Sequence, residues 1–192
     1  LSIKIIKKLI KIQPEIIEFK SNLIGLLREA SLFEEGLELC KEFESKFQLN
    51  ENFYINYAAI FFDIGDLKAA EEVIKKSLKK FPKSSLPLLT LGSILKENGS
   101  LDEAEKYTRL ALKINPDIEN GLYNLASILQ DAGKSEEALK IIFKIKNNYI
   151  NDYKIDTLLG NIYISLDDLK CAKKYLIKAI KNDTSNSFKC NF

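Results

Sequence analysis

Residues 84–117 read SSLPLLTLGSILKENGSLDEAEKYTRLALKINPD. Leu88, Leu91, Gly92 and Leu95 recur at the three- and four-residue steps that place side chains on one face of a helix. Asn98-Gly99 predicts the end of that helix, because glycine accepts the left-handed conformation that closes one. Ser100-Leu-Asp-Glu103 has the spacing of a capping box, which starts a second helix. Ala104, Tyr107, Ala111 and Leu112 form the buried face of that helix. Asn115-Pro116 stops it, since proline lacks the amide hydrogen and restricts the residue before it.

The same grammar extends in both directions with a period of 34 residues. Ala70, Ala104, Ala138 and Ala172 share one phase, with Gly36 one period earlier. Gly65, Gly99 and Gly133 share another, flanked by Ser31 and Asp167. Leu23, Tyr57, Leu91, Leu125 and Leu159 form a third, and Pro14, Pro82 and Pro116 a fourth. These phases divide the chain into five units, 17–50, 51–84, 85–118, 119–152 and 153–186, each predicted to hold two amphipathic helices. Residues 1–16 read as the second helix of a preceding unit, and 187–192 as a tail or the opening of another. A single hairpin cannot cover its own apolar face, so successive units must stack. Small residues such as Gly92, Gly160, Ala104 and Ala172 are expected to let paired helices approach closely, with bulky neighbours filling the grooves around them.

Composition agrees with a helical, globular chain. Of 192 residues, 46% are hydrophobic and 29% charged, enough to build a core; eight glycines and four prolines are few for a fold made of many tight turns. The net charge of +2 gives no concentrated basic footprint, which counts against nucleic acid as a partner. One basic cluster, Lys4, Lys7, Lys8 and Lys11, reads as a solvated helix face. There is no histidine, which removes the commonest general acid–base and metal ligand. Cys40, Cys171 and Cys190 are far apart, odd in number and outside any CxxC pattern, so they read as core fillers or free thiols in a reducing compartment. No apolar run is long enough to span a membrane, and a cytoplasmic location is expected.

The unit quoted above resembles a tetratricopeptide repeat in its length, its Leu91-Gly92 pair, the spacing from Gly99 to Ala104 and its closing Asn115-Pro116. The resemblance covers nearly the whole chain. Unit 17–50 departs from it, with Ile24 at the small position, Gly36 at the alanine and Gln48 at the proline; the same hairpin is expected there, packed less tightly. The resemblance implies an all-α fold, a right-handed superhelical α-solenoid of antiparallel helix pairs.

It also implies a concave groove lined by the first helix of each unit, and with it a non-catalytic scaffold that binds an extended peptide or a partner protein. Inward-facing residues would include Asn22, Asn56, Thr90 and Asn124, all in one phase, with Leu158 breaking the series. An asparagine amide both donates and accepts, so a column of them could hold the backbone of a bound peptide; the alternative is that they tie neighbouring helices together. Further groove candidates are Asn52, Ile55, Ala59, Leu89, Ser93, Asn120, Tyr123, Ser127, Thr157 and Asn161. Some relatives grip acidic chaperone C-termini with a lysine, arginine and asparagine clamp. The matching places here hold Ser21, Gly25, Asn56, Leu86 and Thr90, of which only Asn56 fits, so a weakly charged peptide is expected.

No catalytic, cofactor-binding or metal-binding constellation is expected. The carboxylate pairs Glu34-Glu35, Glu71-Glu72, Asp102-Glu103, Glu136-Glu137 and Asp167-Asp168 read as favourable charge at the positive ends of second helices. Two other readings of function follow from the resemblance. The segment could be the substrate-docking arm of a larger glycosyl-, sulfo- or methyltransferase, or a helical-repeat RNA binder, against which the strict 34-residue phase counts. Both chain ends fall inside the repeat pattern, as in a piece of a longer protein, and their apolar faces would otherwise favour self-association.

Overall fold

The computed structural model describes residues 2–118, 120–146 and 152–182. Among them are eleven helices and no strand: α1 (Ile3–Ile12), α2 (Ile17–Glu29), α3 (Phe33–Lys46), α4 (Glu51–Asp63), α5 (Leu67–Lys80), α6 (Ser85–Glu97), α7 (Leu101–Ile114), α8 (Gly121–Asp131), α9 (Ser135–Lys146), α10 (Tyr153–Ser165) and α11 (Leu169–Asn182). Residues 183–192, including the expected tail and Cys190, lie outside the described residues.

From α2 onward the helices pack in consecutive pairs, and the second helix of each pair also packs on the first helix of the next. The first helices α2, α4, α6, α8 and α10 touch one another in series, whereas no comparable contact joins successive second helices. A stack that is closer on one side curves toward that side, so the first helices form the inner, concave layer. The observed architecture is the all-α solenoid of antiparallel pairs that the repeat predicts.

The turns inside the pairs are alike to the level of single hydrogen bonds. Ser31, Gly65, Gly99, Gly133 and Asp167 all have φ between 56° and 82°. In each turn the next residue's amide donates back across the turn: Leu32 to Leu27, Asp66 to Phe61, Ser100 to Leu95, Lys134 to Leu129 and Asp168 to Tyr163. This satisfies carbonyls that the helix end would otherwise leave unpaired.

Helix separation within a pair follows the residue at one phase of the inner helix. A β-carbon built on Gly92 would lie 2.2 Å from Thr108 Oγ1 and 3.2 Å from the Ala104 carbonyl oxygen. One on Gly160 would lie 2.5 Å from Leu176 Cδ2. These two glycine pairs, α6–α7 and α10–α11, pack most closely; Ala58 and Ala126 give intermediate pairs, and Ile24 gives the most open one, α2–α3. In the looser first pair Ile24, Leu27, Cys40 and Phe43 are all buried.

Two local expectations are corrected. Ser100 precedes α7, but its hydroxyl makes no capping bond. Asp66 and Asp168, one repeat before and two after, do cap: their carboxylates accept from Ala69 and Cys171 at 3.0 Å. Backbone at this position is not extended (φ −83°, ψ 64° at Ser100; φ −84°, ψ 73° at Asp66), so a hydroxyl on Cβ falls short where a carboxylate, one bond longer, reaches. The carboxylate pairs also differ among themselves. Glu34-Glu35, Asp102-Glu103 and Glu136-Glu137 lie in first turns. Glu71-Glu72 lies a turn further into α5, where Glu71 pairs with Lys75 at 2.5 Å.

Cys40 and Cys171 are free thiols. Burial, and then Glu44, push the Cys40 thiol far above its ordinary value, so it stays protonated. Lys20 is fully covered; its ammonium donates to the Pro14 carbonyl and stands 3.9 Å from the centre of the Phe47 ring. This holds the turn between α1 and α2 against the first pair.

Candidate functional site

The concave face is built from the exposed stripes of α2, α4, α6, α8 and α10. In the expected asparagine column, Asn56 Nδ2 donates to the carbonyl oxygen of Ser21, joining α4 to α2 at 2.8 Å. Asn124 Nδ2 donates to Ser93 Oγ, joining α8 to α6 at 3.1 Å, and that hydroxyl donates to Leu89 O in its own helix. Thr90 Oγ1 donates to Leu86 O, also in its own helix. Asn22 is exposed and Leu158 buried. The column therefore bolts inner helices together through Asn56 and Asn124.

A second series of bolts lies one to two turns further along the same helices. Arg28 Nε pairs with Asp63 at 2.6 Å between α2 and α4. Lys96 pairs with Asp131 at 2.9 Å between α6 and α8. Gln130 Nε2 donates to Ser165 Oγ at 2.9 Å between α8 and α10. Among the described residues no hydrogen bond or ion pair joins α4 to α6, where Phe62 occupies the phase of Arg28, Lys96 and Gln130.

Three open cavities form along this face. The first, about 370 Å³ between α4, α6 and α8, brings together Leu89, Thr90, Ser93, Asn120 and Asn124 with Ala58, Ala59, Phe62, Leu86 and Ile94. The second, about 540 Å³ between α6, α8 and α10, collects Tyr123, Ser127, Thr157 and Asn161 with Lys96, Gln130, Asp131, Tyr153 and Lys154 among its walls. The third, about 520 Å³, shares Asn120 and Asn124 with the first and Tyr123 and Lys154 with the second. The third thus borders both of the others, and the three together are the trough. Asn22, Asn52 and Asn56 lie outside them, toward α2, with Asn22 and Asn52 exposed.

Sequence reasoning missed Phe62, Lys96 and Gln130. The signal was present: from Ala59, Ser93 or Ser127 a further three-residue step along the same stripe reaches them.

Within the trough Lys96 and Asp131 match each other, and Asp117, Asp152 and Lys154 also line it. Lys96 stands between Asp131 and, at 3.6 Å, Glu97; burial works to lower its pKa, but the two carboxylates outweigh it and raise it. Burial lifts the Tyr123 hydroxyl above its ordinary value, with Lys96 opposing and Asp152 and Tyr153 adding, so it remains a neutral donor. The surface offers amides, hydroxyls, aromatic rings and aliphatic carbon. Among the described residues no group of His, Cys, Asp or Glu side chains is placed to hold a metal ion, and no helix is long and apolar enough to cross a membrane.

A comparison with curated protein sequences gives no match. The family model described as tetratricopeptide repeat matches residues 51–82, 87–118 and 157–186. Among solved structures, a tetratricopeptide repeat protein from Parabacteroides merdae superposes with a TM-score of 0.76 at 16% identity, over 94% of this chain and 72% of its own. YrrB, described as a TPR protein with an unusual peptide-binding site, gives 0.66 at 18% identity over 95% and 94%. The Cut9–Hcn1 hetero-tetramer of the APC/C gives 0.82 at 13% identity, over 94% of this chain and 36% of that one. With its stacked helix pairs and its three matched stretches, the chain carries tetratricopeptide repeats at residues 51–82, 87–118 and 157–186.

Proposed function

We propose that this chain is a non-catalytic interaction scaffold that receives an extended, weakly charged segment of a partner protein in its concave trough. The observation that carries this reading is the convergence of Leu89, Thr90, Ser93, Asn120 and Asn124 on one open cavity, with Tyr123, Ser127 and Asn161 on a second and a third cavity bordering both. A trough of this kind suits a main chain: hydroxyls and amides meet its peptide groups, and the apolar walls take alternate side chains. The likeness to a relative described as having a peptide-binding site supports the reading. On this view the repeat units are 17–50, 51–84, 85–118, 119–152 and 153–186, and α1 is the second helix of a unit before them.

The test is the double variant Asn56→Ala/Asn124→Ala. Each substitution removes one bolt, costing about 1 kcal/mol, and Asn124→Ala also strips an amide from the trough. Circular dichroism should show unchanged helical content, while affinity for a captured partner peptide falls about tenfold. Full affinity with intact helicity would remove the trough from consideration.

A further inference from the structure

The cross-links between inner helices identify one place that the fold leaves open. The step from α2 to α4 has two bolts, Asn56 to Ser21 and Arg28 to Asp63. That from α6 to α8 also has two, Asn124 to Ser93 and Lys96 to Asp131, and that from α8 to α10 has Gln130 to Ser165. Between α4 and α6 both positions fail. Thr90 bonds back to its own helix, and Phe62 stands where the other steps carry a polar side chain. Ala58 and Ala59 are too short to close the gap. The 370 Å³ cavity opens there, and none of its lining residues is charged. Leu86 sits at its mouth, 40% exposed, above the buried Leu89 and Ile94.

We infer that the partner segment carries a bulky apolar residue, of leucine or phenylalanine size, that seats in this cavity against Phe62, Leu86 and Leu89. The inference rests on the trough reading above and names what that site selects. An ionised side chain would lose its hydration here without meeting a counter-charge. A small polar one would leave carbon facing water. An aliphatic or aromatic side chain matches the uncharged walls, and Thr90, Asn120 and Asn124 in the same lining offer hydrogen bonds to the main chain on either side of it.

The experiment is selection of a random peptide library displayed on phage against the whole chain, in parallel with three variants. Phe62→Arg places a cation in register with Glu97 and so supplies the missing bolt; it fills the cavity and should hold or raise the melting temperature. Leu86→Glu sets a carboxylate at the exposed mouth and tests the same cavity without touching the core. Asn124→Ala reports on the trough as a whole. The expected result is a large apolar residue enriched at a fixed position in wild-type selections. That enrichment should be lost with Phe62→Arg and Leu86→Glu, and replacing the residue by alanine in a synthetic peptide should weaken binding about tenfold or more. Peptides that depend on Asn124 but lack the apolar residue, or that bind Phe62→Arg and Leu86→Glu undiminished, overturn the inference and leave the trough reading standing. Peptides indifferent to all three variants, or no enrichment, overturn both.

Discussion

Gly92 shows how much a single position decides. Alanine there would be the better helix former by about 1 kcal/mol. Its β-carbon, however, would overlap Thr108 Oγ1 and crowd the Ala104 carbonyl. Overpacking of a tight crossing typically costs about 1–3 kcal/mol, so Gly92→Ala should lower the melting temperature. The Thr108 hydroxyl is buried with no hydrogen-bond partner among the described residues, so Gly92→Ala/Thr108→Ala should recover most of the loss. A double variant no more stable than Gly92→Ala would place the strain elsewhere. The small residue itself was legible, because it recurs in phase with Ala58, Ala126 and Gly160. Its partner was not, because Thr108 shares a phase with Cys40, Ile74, Ile142 and Leu176, whose chemistry gives no hint of a hydroxyl pressed on a glycine. The burial of Lys20 was equally hidden: lysine reads as solvated until the Phe47 ring and the Pro14 carbonyl are placed around it.

At the scale of the helix, the sequence conveys where elements begin and end better than how their ends are satisfied. Gly65, Gly99 and Gly133 announced the left-handed turn, and Ser31 and Asp167 adopt it in the same phase, so the period carries conformation even where the residue type changes. The cap at Ser100 was misread because a spacing rule does not report backbone angles. The remedy can be measured. Ser100→Asp lengthens the side chain by the bond that Asp66 and Asp168 use and adds negative charge at the positive end of α7. It should raise stability by about 0.5–1 kcal/mol in chemical denaturation. A neutral outcome would mean that reach is not what separates serine from aspartate at this position.

For the whole molecule, the inner helices touch, while among the described residues ion pairs span two of the outer gaps. Glu44 and Lys76 link α3 to α5 at 2.9 Å. Glu105 on α7 accepts from Lys134 at 2.7 Å, and Arg109 reaches both Glu105 and Glu137. Lys134 first, and then Arg109, hold the Glu105 carboxyl below the ordinary glutamate range against its partial burial. Between that lowered value and the ordinary one the unfolded chain binds the extra proton, so stability should decline as pH falls through this window. Glu105→Gln should make the acid limb of a stability–pH profile shallower; an unchanged limb would assign acid sensitivity to other carboxylates. The constant period made the stack legible from sequence, and about a third of the residues that line the three cavities with it. The bolts were not, because most join residues one repeat plus one position apart, as in Asn56 to Ser21 or Lys96 to Asp131, and comparison at equal phase never sets them side by side. The gap left by Phe62 has a mechanical meaning as well. Regarded as a spring, the described part of the solenoid has one coil whose inner side no polar link holds. A tenant side chain would stiffen that coil, so occupancy could be sensed as tension.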